Sequence, residues 1–357
     1  MKTWDVIIIG GGIIGLSLSI ALRKRGAAVL IVERGEPGRE ASHAAAGMLA
    51  DSPLEIPPRL QALAAASAGM YPEFVHQLQD ESGLQVDLRD QGKIFFPSDE
   101  ELSEHPTLLT DNPLLAPLAE LEPGLADSPQ PAIFLQERSV DPRVLTAAAL
   151  KAAKHRGVDF ASGTAAKAVL EYNGSAAGVA TEKTSYEAPA VVNCAGAWAG
   201  QISPFAFPAR PVKGQMLSVV TKGRDLVRHV IRTPQIYLVP RSDGRILIGA
   251  TLEEAGYDTR TDVDTIKRMH EAALHLVPDL RQARVHEAWA GLRPGSPDSL
   301  PILGPTEMPG YFVATGHFRD GILLAPVTAQ VMAQIVAGAD PEHDLSPFSP
   351  ARFTLQS

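Results

Sequence analysis

The chain has 357 residues, 45% of them hydrophobic and 20% charged, which sets aside a disordered or fibrous protein and leaves room for two domains around a shared cleft. Its net charge of -9, with basic residues scattered along the chain, gives no nucleic-acid-binding footprint and points to small-molecule partners. The single cysteine, Cys194, excludes an intramolecular disulfide framework and a cysteine-rich metal site, and fits a cytoplasmic location.

The N-terminal stretch MKTWDVIIIGGGIIGLSLSIALRKRG has the lysine and apolar run of a signal peptide. Asp5 and the glycines interrupt it, no small-residue cleavage site follows, and Arg23, Lys24 and Arg25 suit the C-terminus of a helix. It reads instead as a strand over 4–9, a tight turn and a helix over 15–25, followed by a strand over 28–32 that ends at Glu33: a β-α-β unit. Residues 54–80 read as helical, the proline-rich 97–131 as loops and short elements, and 145–155 as a helix behind a turn or N-cap at Asp141 and Pro142.

From 205 to 292 the texture shifts to strands: QMLSVV, QIYLVPR, RILIGA and ARVHEAWAGL, with SDG as a turn between two of them. An antiparallel sheet is therefore expected to build a second domain. GYFVATGHFRDGILLAPVTAQVMAQIVAG then reads as strand, glycine-rich turn and helix, returning to the first domain. No stretch approaches the roughly twenty apolar residues of a membrane span.

Gly10, Gly12 and Gly15 form GxGxxG between the first strand and helix, with Glu33 closing the next strand. Glycines there permit a tight turn and let a pyrophosphate approach the amides of a helix N-terminus, while the acid accepts hydrogen bonds from a ribose diol. A merely structural glycine turn is the plain alternative. EASHAAAGMLA, over 40–50, could lie flat against a planar ligand or simply be a tightly packed loop. Arg293, in HEAWAGLRPGSPDSLPILG, stands among apolar, Gly and Pro neighbours, where a guanidinium requires either a structural ion pair or an anionic ligand. Cys194, Trp198 and Trp289 read as packing residues. No HExxH, paired cysteine or acidic loop suggests a metal.

GGGIIG, ERG, SHAAAGML, VVNCAGAWAG, RPVKGQM, IYLVPRSDGRILIGAT, AGLRPGSPDSLPILG and GHFRDGILLAP follow one another over nearly the whole chain. On these motifs the chain resembles the D-amino-acid oxidase superfamily of FAD-dependent enzymes, nearest its glycine oxidases of the thiamine pathway. The resemblance implies an α/β fold: a Rossmann-type, glutathione-reductase-like FAD-binding domain over 1–85, 138–204 and 296–344, a substrate domain on an antiparallel sheet over 86–137 and 205–295, and a tail over 345–357. The region 87–131 is expected to line or cover the pocket.

The same resemblance implies oxidation of glycine, sarcosine or small D-amino acids by hydride transfer from the α-carbon to flavin N5, with no side chain needed as acid or base. The imine then hydrolyses to an α-keto acid and ammonia, oxygen becomes hydrogen peroxide, and the product supplies thiamine thiazole synthesis. Arg293 would pair with the substrate carboxylate, Tyr237 would hydrogen-bond it, and Arg319 and Met48 would complete the substrate pocket. FAD would meet Gly10, Gly12, Ile13, Ile14, Gly15, Glu33 and Arg34, then Ser42, His43, Ala46, Gly47, Met48 and Ala166. Its remaining contacts would be Ala195, Gly196, Trp198, Gly316, His317, Arg319, Asp320, Gly321, Ile322 and Leu323, with a helix from Ile322 presenting its positive end.

Some relatives attach FAD through the histidine of WHAAG; counted back from Gly47 that position is Ala44, with His43 one residue earlier, so FAD is expected to be noncovalent. A homotetramer is also implied. The alternatives are a D-amino-acid or sarcosine dehydrogenase that uses a quinone or another acceptor, and a noncatalytic dinucleotide-sensing module.

Overall fold

A computed structural model describes residues 3–125, 131–221 and 225–353. Residues 1 and 2, and the parts of the expected loop-rich region, second domain and tail at 126–130, 222–224 and 354–357, lie outside the described residues.

Val6–Ile9 is a short strand with every side chain buried, which suits β-branched residues in a parallel sheet covered on both faces. It pairs in parallel with Val29–Glu33 on one side and Ala190–Asn193 on the other, so that Ile8 faces Ile31 and Val192. The full sheet runs in the order 302–305, 311–315, 190–193, 6–9, 29–33, 159–162. Only Ile302–Pro305 runs antiparallel to its neighbour, Tyr311–Thr315.

Helices Ile13–Lys24, Gln61–Ser82, Pro142–His155 and Ala325–Val336 cover one face, where Leu16, Leu63, Leu145 and Val331 pack with Ile8 and Ile31. A three-stranded antiparallel sheet of Ala166–Tyr172, Ser175–Thr181 and Ser185–Glu187 covers the other, bringing Val169 and Val179 onto Ile7, Ile9 and Leu30. The alternation of residues along the central strand therefore sends its side chains into two separate cores.

The second large sheet has seven strands in the order 284–295, 210–220, 245–249, 237–240, 230–232, 93–95, 133–135. All its pairings are antiparallel except that of Val230–Arg232 with Lys93–Phe95. Gly244, at φ +87°, closes the SDG turn between two of them. Helix Val263–Leu276 packs on this sheet through Met269 and Ala273.

The α/β architecture is the expected one, and most elements stand where the sequence puts them. Asp141 caps the helix that follows it, its carboxylate accepting from the amides of Arg143 at 2.9 Å and Val144 at 3.3 Å. The helix expected over 54–80 starts only at Gln61, because Pro57 and Pro58 hold the approach in extended backbone and a 3-10 turn, Pro58–Leu60. The helix expected from Ile322 begins at Ala325, after a turn over 321–324. Elements not anticipated include the alanine-rich small sheet over 166–187, helix Val263–Leu276, and the strands Asp159–Ser162 and Ile302–Pro305 at the two edges of the main sheet.

Candidate active site

The C-terminal ends of the strands Val6–Ile9 and Val29–Glu33 open onto a cavity of about 430 Å³ whose far wall is the second sheet. That is where an open parallel sheet binds ligands, and the volume is in the range of cofactor sites.

At the end nearest the first sheet, Gly10 has φ +106°, and a Cβ there would overlap the Cys194 carbonyl. A Cβ at Gly15 would overlap the Gly10 carbonyl, so the third glycine lets the helix pack onto the turn and is not itself part of the cavity wall. Gly12 is the N-cap and offers no side chain to the helix start, leaving room before its amides. Ser42 Oγ accepts from the Ile13 amide at 3.0 Å. Glu33 is 8% exposed, and its carboxylate accepts from the amides of Gly11 at 2.7 Å and Gly35 at 2.9 Å, fixed at the cavity edge with lone pairs to spare. Arg34 lies over Trp198, 3.5 Å from the ring centroid, and Trp198 in turn packs against Tyr257 with centroids 5.4 Å apart.

Along the middle, Ala46, Gly47, Ala166, Ala195 and Gly196 present little beyond backbone to the cavity. His317 lies there too, 3% exposed, with Nε2 3.2 Å from Thr328 Oγ1. Burial pushes its pKa down to about 3, so the ring is neutral. Gly321 and Ile322 complete this wall; the turn that carries them is tied down from behind, Tyr71 and Ser67 donating to the carbonyls of Ile322 and Leu323.

At the other end stand Met48, Tyr237, Arg293 and Arg319. Arg293 makes no ion pair with a carboxylate among the described residues: Nη1 donates to the Thr251 carbonyl at 3.1 Å, and the Tyr237 hydroxyl stands beside the guanidinium. That hydroxyl lies 3.6 Å from Met216 Sδ as its own acceptor. Burial lowers the pKa of Arg293 and raises that of Tyr237, Arg293 partly opposing the latter. The result is a half-buried, pre-oriented cation facing a cavity. Arg319 is exposed at the mouth, with its guanidinium 5.5 Å from the Phe318 ring, and the adjacent Asp320 has its pKa pushed up to about 6 by burial against the pull of Arg319.

Of the residues expected here, His43, Gly316, Asp320 and Leu323 join Gly15 off the cavity wall. Leu323 faces the helical core, and the flanking Ser42 and Ala44, not His43, line the cavity. The region 87–131 contributes no cavity residue among those described. Wall residues not singled out beforehand include Gly214, Met216, Gly291, Pro294, Thr315 and Phe318. Gly214 and Gly291 face each other across two strands, a pairing that alternation alone does not mark as a site. Cys194 also touches the cavity, with its thiol pKa raised by burial. Among the described residues, no group of His, Cys, Asp and Glu could hold a metal ion, and no helix is long and apolar enough to cross a membrane.

A glycine cradle without Cβ atoms, a helix start whose N-cap Gly12 has no side chain and whose first amide is met by Ser42 Oγ, and a fixed carboxylate beyond it fit the pyrophosphate and ribose of a dinucleotide, and the backbone-lined middle fits a planar ring. Comparison with known proteins agrees. The chain is 34% identical to the bifunctional protein ThiO/ThiG of Trichormus variabilis over 99% of its own length, but spans only 56% of that protein. It is 32% identical to the hydrogen cyanide synthase subunit HcnC of Pseudomonas aeruginosa, covering 99% of this chain and 97% of that one. The glycine oxidase of Geobacillus kaustophilus is 34% identical over 98% of this chain and 97% of its own, and a crystal structure of the glycine oxidase from that organism superposes with a TM-score of 0.92 at 32% identity, covering 99% and 100% of the two chains. Residues 5–335 match the family described as FAD dependent oxidoreductase, and to that family the chain belongs.

Proposed function

We propose that the protein is an amino-acid oxidase that converts glycine and other small amines, such as sarcosine and small D-amino acids, to the imine and then the α-keto acid. Ammonia and hydrogen peroxide are the other products, and the reaction would feed thiamine thiazole synthesis. The observation that carries this reading is Arg293: a guanidinium at the cavity wall that donates to the Thr251 carbonyl, stands beside the Tyr237 hydroxyl and has no carboxylate ion pair among the described residues. A desolvated cation without a direct carboxylate ion pair is an anchor for a ligand carboxylate, bound bidentately and so held in one orientation. The likeness to the glycine oxidase of Geobacillus kaustophilus supports the substrate class.

Bound FAD supplies the acceptor for a hydride from the substrate α-carbon. The chain's own contribution is placement. Arg293 and Tyr237 fix the carboxylate, Met48 bounds the space for a side chain, and Arg319 adds positive charge at the mouth. His317 is neutral, and no residue is assigned as acid or base. The glycine turn, Glu33, Arg34, Ser42 and Trp198 would hold the dinucleotide, with Ala46, Gly47, Ala166, Ala195, Gly196, Gly321 and Ile322 along the flavin. His43 lying off the wall and the raised pKa of the Cys194 thiol support noncovalent attachment. Oxygen as acceptor and a homotetramer rest on the family resemblance, and a cytoplasmic location on the single cysteine.

Peroxide release with glycine, sarcosine and small D-amino acids tests this directly. Protein that is yellow with FAD yet inactive on all of them would sink it. Fast transfer to a quinone analogue, with slow reoxidation in air, would move the assignment to a dehydrogenase.

A further inference from the structure

Arg241 heads the largest fully buried side chains among the described residues, with 1% of its surface exposed. It follows the strand Tyr237–Pro240, yet it does not reach the cavity. Its Nη2 donates to the Ala46 carbonyl, while Nε and Nη1 have no hydrogen-bond partner among the described residues. Burial lowers its pKa to about 10, with Asp141 and Asp87 opposing that and Arg245 and Arg89 adding to it, so the group is a cation at neutral pH. An incompletely bonded interior charge is destabilising, and an apolar side chain of similar length would be expected to be more stable there unless the charge is used.

What it holds indicates that use. Ala46 and Gly47 form part of the cavity wall, and Gly47 has φ +74°. A Cβ at Gly47 would lie 2.9 Å from Pro142 Cδ and 3.2 Å from Arg241 Nη2, so the segment is wedged between the helix start and the guanidinium. The Gly47 carbonyl accepts from the Val140 amide at 2.8 Å. Next to it, Asp141 accepts from Arg245 Nη2 at 2.7 Å; burial alone would raise its pKa, but Arg241 and Arg245 outweigh that and hold it below the usual carboxylate range. The wall segment is thus clamped between the second sheet, through Arg241, and the strand Arg138–Val140, through Gly47.

We infer that Arg241 is a positioning residue for the flavin: it fixes the Ala46–Met48 backbone of the wall and keeps a positive charge one layer behind it, favouring the electron-rich reduced cofactor. The inference rests on the proposed flavin site and not on the substrate. Wild-type protein that bound FAD but oxidised no amine would therefore sink the proposed activity, and the titration below would still decide this point.

The test uses the full chain as wild type, R241K and R241M, measuring FAD dissociation by fluorescence titration of apoprotein and the flavin reduction potential by dye equilibration. R241M is expected to weaken FAD binding about tenfold or more, the size of one lost charged hydrogen bond, and to make the potential more negative. R241K keeps the charge but not the planar fork, so its potential should stay near wild type while FAD binding weakens about threefold to tenfold. Wild-type FAD affinity in both variants would overturn the inference, even with a lowered melting temperature. If R241M does not fold, unchanged FAD affinity in R241K overturns it alone.

Discussion

The guanidinium of Arg293 lies over Gly214, its carbon 2.5 Å from where a Cβ at Gly214 would stand. Gly214 is paired across the sheet with Gly291, whose own missing Cβ makes room for Ala44. Two facing glycines therefore let the anchor lie flat on one strand while the flavin-side segment approaches the other. Gly214→Ala would displace the end of a flexible side chain, not backbone. It is expected to raise KM for glycine about tenfold or more with FAD still bound, by moving an anchor that remains in the protein. Unchanged KM in steady-state assays would mean that the arginine does not contact substrate from this position.

Removing the anchor should cost more. Arg293→Ala is expected to raise KM on the order of 100-fold, the scale of a lost charge-assisted pair, with the flavin spectrum retained. Arg293→Lys should recover little, because a point charge replaces a planar fork. Tyr237→Phe removes a single neutral hydrogen bond and should cost about threefold to tenfold. Loss of flavin in Arg293→Ala, or unaltered kinetics, would return Arg293 to a structural role.

The dinucleotide end yields a separate test. Glu33 is held by the Gly11 and Gly35 amides at the cavity edge, so its position does not depend on a ligand. Glu33→Gln keeps the shape but loses the charge and places an NH₂ group against one of the two amide donors. FAD affinity should fall about tenfold, while KM, measured at saturating FAD, should not change. Equal FAD affinity in the variant would remove Glu33 from the cofactor site.

The part of the site that could be seen in the sequence is local in the chain. Gly10, Gly12, Gly15 and Glu33 sit within one β-α-β unit, where short-range geometry dictates residue type, and the strand and helix around them formed within a few residues of expectation. Tyr237 and Arg293 were marked by family resemblance; without it, composition left Arg293 equally open to an internal ion pair. Gly214, Met216 and Gly291 escaped because their place depends on register: only the pairing of Gly214 with Gly291 and of Met216 with Trp289 brings them to the cavity. The same holds for His43. One residue of offset on the short helix Ala41–Ala44 decides which side chain faces the cavity, and there the neighbours Ser42 and Ala44 face it. Helix Val263–Leu276 carries Ile266, Met269, Ala273 and Leu276 at helical spacing, a signal present in the sequence but passed over between strand-rich stretches on either side.

His317 provides a test in which pH is the variable. It is 3% exposed and its pKa is pushed down to about 3 by burial, from an ordinary value of 6.5. Above pH 6.5 the ring is neutral in both folded and unfolded chains, and it adds no pH dependence. Below that, the unfolded chain takes up a proton that the folded one does not, so stability falls as the pH drops and continues to fall until about pH 3. His317→Asn cannot take up that proton. Between pH 7 and pH 4.5 the FAD-saturated wild type should lose on the order of 2 kcal/mol more stability than the variant, two units of linkage at about 1.4 kcal/mol each with allowance for local relaxation. Denaturant titrations at the two pH values measure the difference. Parallel losses in the two proteins would show that His317 is protonated in the fold, and with it would go the neutral wall proposed beside the flavin.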